Sequence, residues 1–456
     1  MYCQIPSPAF LFLLTLLATP LHAQDSQTKF ILDLPIMEAP YGVNNGFFAY
    51  RQFSPGMQAS MNLAKSVTEA KVYGLKRLIK PEKGASPEAK IGRWAGFAVI
   101  HLLSDYVLMY FPLGEAWNHE EWHRAVLTQN KVSSHNDVND IPFGQELIAV
   151  SHLEDAALAA FKKNNNPDYV RLSAAGIEGQ IETTKALQKD NFFCRMNLPL
   201  SLNYFFSAFS AIEYVRLCAE PGADDLTIKA EEKEGVNVEK RDFVGLDMLS
   251  WIYDLSRPDE PYEARGIHPS GTGIRRYRRT SDLTGEELGF LKKMGNLQLV
   301  NFISPAMFFV NSIRLNKELR FNFSGFHHLT SFGYDLGGNL FFEYKGHKIF
   351  GAIHNYHNLQ NSFLGLEMQV IDRPLMIGRI PFFISPSLHL WSQPAGQEFR
   401  TSEASVGGRA EAGISIKLGK YFRPYMTLVA KTKGWTAGDS YLDEKVFARF
   451  GVRACF

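Results

Sequence analysis

Two periods divide the hydrophobic pattern of this chain. From about residue 50 to 255, apolar positions recur every three to four residues, the spacing that gathers side chains on one side of an α-helix. The windows that carry it are 57–79, 91–110, 117–129, 143–163, 169–189 and 198–217. The run Asn164-Asn165-Asn166-Pro167 separates two of them, because three small amides and a proline disfavour a continuing helix. The charged stretch 223–242 reads as a solvated loop or short charged helix. Residues 256–293 are rich in Pro, Gly and Arg and are expected to form an ordered functional loop leading to a linker.

After about residue 298 the period becomes two. Val406, Gly408, Ala410, Ala412, Ile414, Ile416 and Leu418 alternate with Ser405, Gly407, Arg409, Glu411, Gly413, Ser415 and Lys417. Residues 446–456 alternate in the same way, and so do 334–344, 364–370 and 422–432, with Gly337-Gly338, Asp372-Arg373-Pro374, Gly419-Lys420 and Gly438-Asp439 as turn signals. Alternation over about ten residues is what a transmembrane strand requires, one face toward lipid and one toward a lumen. Arg409, Glu411, Arg449 and Arg453 all fall on the polar face. The strand that ends in Phe456 resembles the aromatic-terminated last strand of bacterial outer-membrane proteins. A soluble sandwich with one wet face is the competing architecture. At about twenty residues per strand and turn, 298–456 has room for about eight strands.

Composition adjusts this picture. The 456 residues suit two or three domains, and 13% aromatics, with 35 Phe, suit a large core or an aromatic-girdled lipid face. With 48 basic and 47 acidic residues the net charge is +1, which gives a polyanion no purchase, so nucleic acid is not expected as a partner. Residues 10–17 form an apolar run too short to span a bilayer, and Ala23 offers a cleavage site, so 1–23 reads as a signal peptide despite lacking an early Lys or Arg. Cleavage would leave Cys194, Cys218 and Cys455. Cys194 and Cys218 could bridge in an oxidising periplasm, or all three could be buried free thiols.

The chemistry lies in Asn118-His119-Glu120-Glu121-Trp122-His123-Arg124, an HExxH motif in a helical window. Residues four apart share a helix face, so His119 and His123 can present two imidazoles to one zinc ion, with Glu120 placed to act as base. A catalytic zinc needs a third protein ligand. Glu178 and Glu182, on one face of a later helix, supply candidates: Glu178 as ligand and Glu182 as an acceptor orienting an imidazole. His135 is a substitute third ligand. His327-His328 and the 354–357 segment sit in the strand zone, where neighbours point to opposite faces, and read as lumen or interfacial polar residues.

The order HEEWH, then Gly176-Ile177-Glu178-Gly179-Gln180-Ile181-Glu182, then His268-Pro269-Ser270-Gly271-Thr272-Gly273-Ile274-Arg275 resembles the zinc metallopeptidases of the gluzincin type, in the CAAX prenyl protease and HtpX-like family. The resemblance covers scattered parts of 115–280 and departs from the family's pattern where Glu182 stands for Asp and where the arginine falls about one residue late. It implies that His119, His123 and Glu178 bind Zn2+ and that Glu120 is the base. It also implies that Glu182 supports the site and that His268 and Arg275 or Arg276 line the cleft. His268 or Tyr262 is then the candidate donor to a developing oxyanion.

The expected protein is α + β and multidomain: a signal peptide (1–23), a helical zinc-peptidase-like domain (24–255), an active-site loop and linker (256–297), and a C-terminal antiparallel outer-membrane β-barrel (298–456). The helical domain is expected in the periplasm, acting on peptide or protein substrates of the envelope, with outer-membrane lipid around the barrel. The alternatives are a non-catalytic barrel protein with a helical binding or assembly domain, and a metal hydrolase of lipid or cell-wall amides.

Overall fold

The computed structural model describes residues 28–39, 51–79, 84–109, 111–139, 149–378 and 380–456. The expected signal peptide lies outside them. Among the described residues there are nine α-helices: α1 (Met57–Ile79), α2 (Pro87–Met109), α3 (Glu115–Gln129), α4 (Asp155–Asn164), α5 (Asn166–Phe193), α6 (Ser201–Leu217), α7 (Gly222–Lys233), α8 (Asp247–Ser256) and α9 (Gly285–Leu297). The large sheet is antiparallel and contains β1 (Ile31–Ala39), β4 (Ile313–Arg314), β5 (Leu319–Thr330), β6 (Gly333–Tyr344), β7 (His347–His357), β8 (Ser362–Ile371), β9 (Arg373–Ile377), β10 (Ile380–Pro394), β11 (Ala404–Ile416), β12 (Phe422–Lys431) and β13 (Lys445–Cys455). A separate two-residue pair joins β2 (His135–Asn136) to β3 (Val150–Ser151).

The fold is therefore α+β, helices first and strands after, with eight C-terminal strands of ten or more residues, β5 to β8 and β10 to β13. Three expectations change. The region 24–255 is not wholly helical, because β1 pairs along β13, Ile31 opposite Cys455 and Ala39 opposite Ala448. The loop-and-linker region 256–297 contains α9, whose first turn is closed by a capping box between Thr284 and Glu287. The 143–163 window holds β3 and a shorter helix, α4. The sheet runs in the order β1-β13-β12-β11-β10-β8-β7-β6-β5-β4, with β9 paired to β10. Among the described residues no pairing joins β1 to β4, so they show no closed barrel.

The sheet curls around the helices. Helix α5, about 42 Å long at 1.5 Å per residue, presents Lys185 and Lys189 to a cavity also lined by Asn62 and Lys65 of α1 and by residues from β5 to β13. The helical and strand regions share one core. Ile177 and Ile181 of α5, Trp251 of α8 and Met294 of α9 pack with Phe326 of β5, Phe341 of β6 and Phe350 of β7. The inner face of the sheet carries the charges that alternation assigned to it: Arg409 meets Asp439 (2.6 Å) and Arg449 meets Glu38 of β1 (2.9 Å). Its outer face carries Leu364, Leu366, Leu390, Val406, Leu428 and Val446, each at least half exposed. Cys194, Cys218 and Cys455 are free thiols.

Candidate metal centre

Helix α3 starts where Gly114 lets the chain turn tightly; a Cβ there would lie 2.1 Å from the Leu108 carbonyl oxygen. The helix is buried on nearly every side. Trp122, Ala125, Val126 and Leu127 enter the core, while the Arg124 guanidinium, fully buried, meets Glu121 at 2.5 Å. It can lie close to α5 because α5 carries glycines at 176 and 179. A Cβ on Gly176 would stand 2.2 Å from His119 Nε2, and one on Gly179 would stand 2.8 Å from the Trp122 ring. The HExxH helix thus rests in a groove made by two missing side chains.

His119 and His123 do share a face, with ring centroids 4.9 Å apart. The His123 Nδ1–H donates to the Leu172 carbonyl of α5 (2.5 Å). A carbonyl can only accept, so the proton is on Nδ1 and the ring is held with Nε2 toward the site, the arrangement metal-binding histidines use. The third group is Asp247, in the first turn of α8. Its Oδ2 lies 3.3 Å from His119 Nε2 and 3.6 Å from His123 Nε2. The three ligand atoms all lie within 4.8 Å of one another. Tyr214 of α6 holds the carboxylate from behind: its hydroxyl donates to Asp247 Oδ2 (3.0 Å) and accepts from the Asp247 backbone N–H (3.1 Å).

Electrostatics follow from burial and this crowding. Burial disfavours the Asp247 carboxylate, but the His123 and His119 rings outweigh it and hold its pKa well below the usual range. For His123, burial opposes the charge, while Asp247 and then Glu120 raise the pKa to about 9. For His119 burial prevails over Asp247 and the pKa falls. Glu120 is buried, and its carboxyl is pushed well above the ordinary value by burial, against the pull of His123 and with Asp247, Asp242 and Asp137 adding to the rise. Such a carboxyl binds a proton more readily than an exposed glutamate does.

The donor set, two imidazoles and a carboxylate, fits a zinc ion with an open position. Its third member is not the one the sequence nominated. Glu178 is fully buried against Arg171 (2.8 Å); its Oε1 also accepts the Gly438 backbone N–H (2.9 Å), tying α5 to the β12–β13 connection, and its Oε2 accepts from Arg171 Nε (3.3 Å), so both oxygens are committed. Glu182 meets Lys185 (2.5 Å) and His328 of β5 (3.2 Å), not an imidazole of the HExxH pair. His268 lies 3.3 Å from Glu234, and its Nδ1 accepts the Ser270 N–H (3.1 Å). Arg275 pairs with Glu231 and Arg276 with Asp155, each at 2.9 Å. These contacts fix the 257–283 segment to α7 and α4 rather than joining the metal group. Tyr262 is buried with Tyr169 and beneath the Arg265 guanidinium. His135 packs on His152. Comparison with protein-family models, with curated proteins and with solved structures gives no match for this chain.

Proposed function

We propose that the chain is a zinc-dependent peptide hydrolase of the cell envelope, tethered to the outer membrane by its own sheet. One observation carries the catalytic half: His119 Nε2, His123 Nε2 and an Asp247 carboxylate oxygen converge within 4.8 Å, with Glu120 beside them. Zinc held there would supply a Lewis acid and acidify a water toward neutrality. Leu172 and Tyr214 fix the ligands. Glu120, with its raised pKa, takes the proton of the attacking water and passes it to the leaving amine. His119 is the most exposed member, at 14%, and so marks the side from which substrate enters.

The membrane half rests on the sheet's two faces. Ten- to fifteen-residue strands have the length of tilted transmembrane strands. Their outward residues include the exposed Leu364, Leu366, Leu390, Val406, Leu428 and Val446, an apolar face of the kind that meets lipid or a partner. No described helix is long and apolar enough to cross a membrane, so the sheet is the element that would meet lipid. In this arrangement the helices are an insertion between β1 and β4 that fills and overhangs the curled sheet.

The test uses the full chain in detergent. Zinc content should fall by one equivalent per chain in Asp247→Ala and in His119→Ala. Glu120→Gln should keep that zinc and lose cleavage of an unfolded protein substrate. Release of the wild-type chain from membranes by carbonate or urea would count against the tether, and intact cleavage in Glu120→Gln would count against the mechanism.

A further inference from the structure

The cavity between the sheet and helices α1 and α5, about 290 Å³, contains none of His119, Glu120, His123 or Asp247. Its wall holds a second group of the same donor types. We propose that His354, Glu367 and His389 form a second divalent-metal site, suited to zinc, with an open position facing this cavity.

The sheet register builds the group. His389 of β10 lies directly opposite Glu367 of β8, and Glu367 lies opposite Ala352 of β7, two residues from His354. With a side-chain period of two, all three point to the inner face, while their neighbours Ile353, Leu366, Leu388 and Leu390 point outward and are exposed. One ligand atom from each comes within 4.8 Å of the others, and the two imidazoles stack with centroids 4.6 Å apart. Tetrahedral zinc at about 2.0–2.1 Å from each ligand needs these atoms roughly 3.3–3.5 Å apart, a contraction that rotations of the side chains supply. Gly365 makes the room: a Cβ there would meet the Tyr356 ring at 2.8 Å and His354 Cβ at 3.2 Å.

Two further observations point to a cation. First, His354 Nδ1–H donates to Asp335 Oδ2 (2.7 Å), the carboxylate–histidine arrangement that fixes the tautomer of a metal ligand and frees Nε2. That Nε2, in a ring only 5% exposed, has no hydrogen-bond partner and points at Glu367 (3.8 Å). With Nδ1 committed to Asp335, this buried nitrogen and the Glu367 carboxylate face each other across a gap too long for a hydrogen bond, which a cation would bridge. Second, Arg409, Arg423, Arg449 and Arg453 of the same cavity each have an acidic partner within 3.1 Å, Lys185 has Glu182 and Lys65 has Asp190, while Lys189 donates to the Gln369 side-chain carbonyl and only its longer-range charge reaches Glu367. Glu367 has among the described residues only His354 as an ion-pair partner. Tyr356, hydrogen-bonded to His389 Nε2 (2.9 Å), orients the second ring.

The experiment is zinc titration of the full chain in detergent, with bound zinc counted after removal of free metal. The wild type should hold two zinc ions per chain. His119→Ala/His123→Ala should hold one, and adding Glu367→Gln or His389→Ala to that variant should leave none. Glu367→Gln alone keeps shape and should hold one zinc, still at the α3 site, which also reports that the chain has folded. No zinc on His119→Ala/His123→Ala, or an unchanged count in Glu367→Gln, would overturn the second site. Loss of the α3 zinc alone would overturn the hydrolase reading and leave this one standing.

Discussion

The two histidine–carboxylate groups of this chain are assembled on opposite terms. In the helical group one turn of α3 brings His119 and His123 together, and only Asp247 must arrive from elsewhere. In the strand group every member comes from a different strand, and the group exists only when β7, β8 and β10 pair in register. A one-residue slip of β8 would turn Glu367 to the outer face and abolish it. The helical pair can thus meet a metal before the rest of the fold is complete, whereas the strand group couples metal binding to formation of the sheet. Under the hydrolase proposal the helical group is the one placed for chemistry, with Glu120 inside its own motif as the acid–base residue.

The strongest way to break that contrast is at Glu120. Glu120→Gln removes the proton acceptor but none of the three ligands, so hydrolysis should fall about 10²–10⁴-fold at unchanged zinc content. Equal loss of zinc would instead make Glu120 a ligand. The next largest effect concerns the glutamate that looked like a ligand. Glu178→Ala leaves the Arg171 guanidinium buried and unpaired, which should destabilise the chain by about 3–5 kcal/mol in chemical unfolding. The folded fraction should keep its α3 zinc. Loss of zinc at unchanged stability would return the ligand role to Glu178.

These variants also mark what the sequence made legible. The i, i+4 histidines are a local signal, and α1, α3 and α6 fall where the helical period predicted them. Strand alternation identified the inner face of β11 and β13, because a period of two needs no partner to be read. The segment around Glu178 was read as the source of a zinc-binding carboxylate; it meets the motif instead through Gly176 and Gly179, whose lack of a side chain lets α3 lie against α5. A pair of glutamates on one helix face looks the same whether it faces a metal or a buried arginine. Asp247 gave no signal, since an Asp in a first helical turn is ordinary and its nearness to α3 is set by packing of α5, α6 and α8. Glu367 opposite His389 was equally hidden, because register across two strands is not written in either one. The α9 capping box, Thr284 with Glu287, is a local signal that a reading of 256–293 by its Pro, Gly and Arg content does not use.

The seam between helices and sheet is testable by acid. Burial raises the Glu182 pKa, but Lys185 and His328 outweigh it and bring it below its ordinary 4.5 to about 2. The folded value is depressed, so the stability it contributes is present above pH 4.5 and is lost as pH falls from 4.5 toward 2. The amount is on the order of 3 kcal/mol. Unfolding free energy measured across that window should drop in the wild type and flatten in Glu182→Gln. An equal drop in both would assign the acid sensitivity elsewhere. A smaller effect separates the two metal groups directly. Asp335→Asn weakens the acceptor that orients His354, and zinc affinity of the strand group should fall about 10–100-fold, with the α3 group unchanged. A change at both would mean that the groups are not independent.

The smallest expected effect is at Tyr214, and it bears on what the helical group's third ligand needs. The hydroxyl both donates to Asp247 Oδ2 and accepts from the Asp247 N–H, so it sets the carboxylate's rotamer as well as its charge. Tyr214→Phe removes about 1 kcal/mol of hydrogen bonding, which should raise the zinc dissociation constant about fivefold. Because the hydroxyl acts through Asp247, kcat of the zinc-saturated variant should stay near the wild-type value. A kcat lowered by a hundredfold at unchanged zinc affinity would show the opposite: that this hydroxyl reaches substrate rather than acting through Asp247.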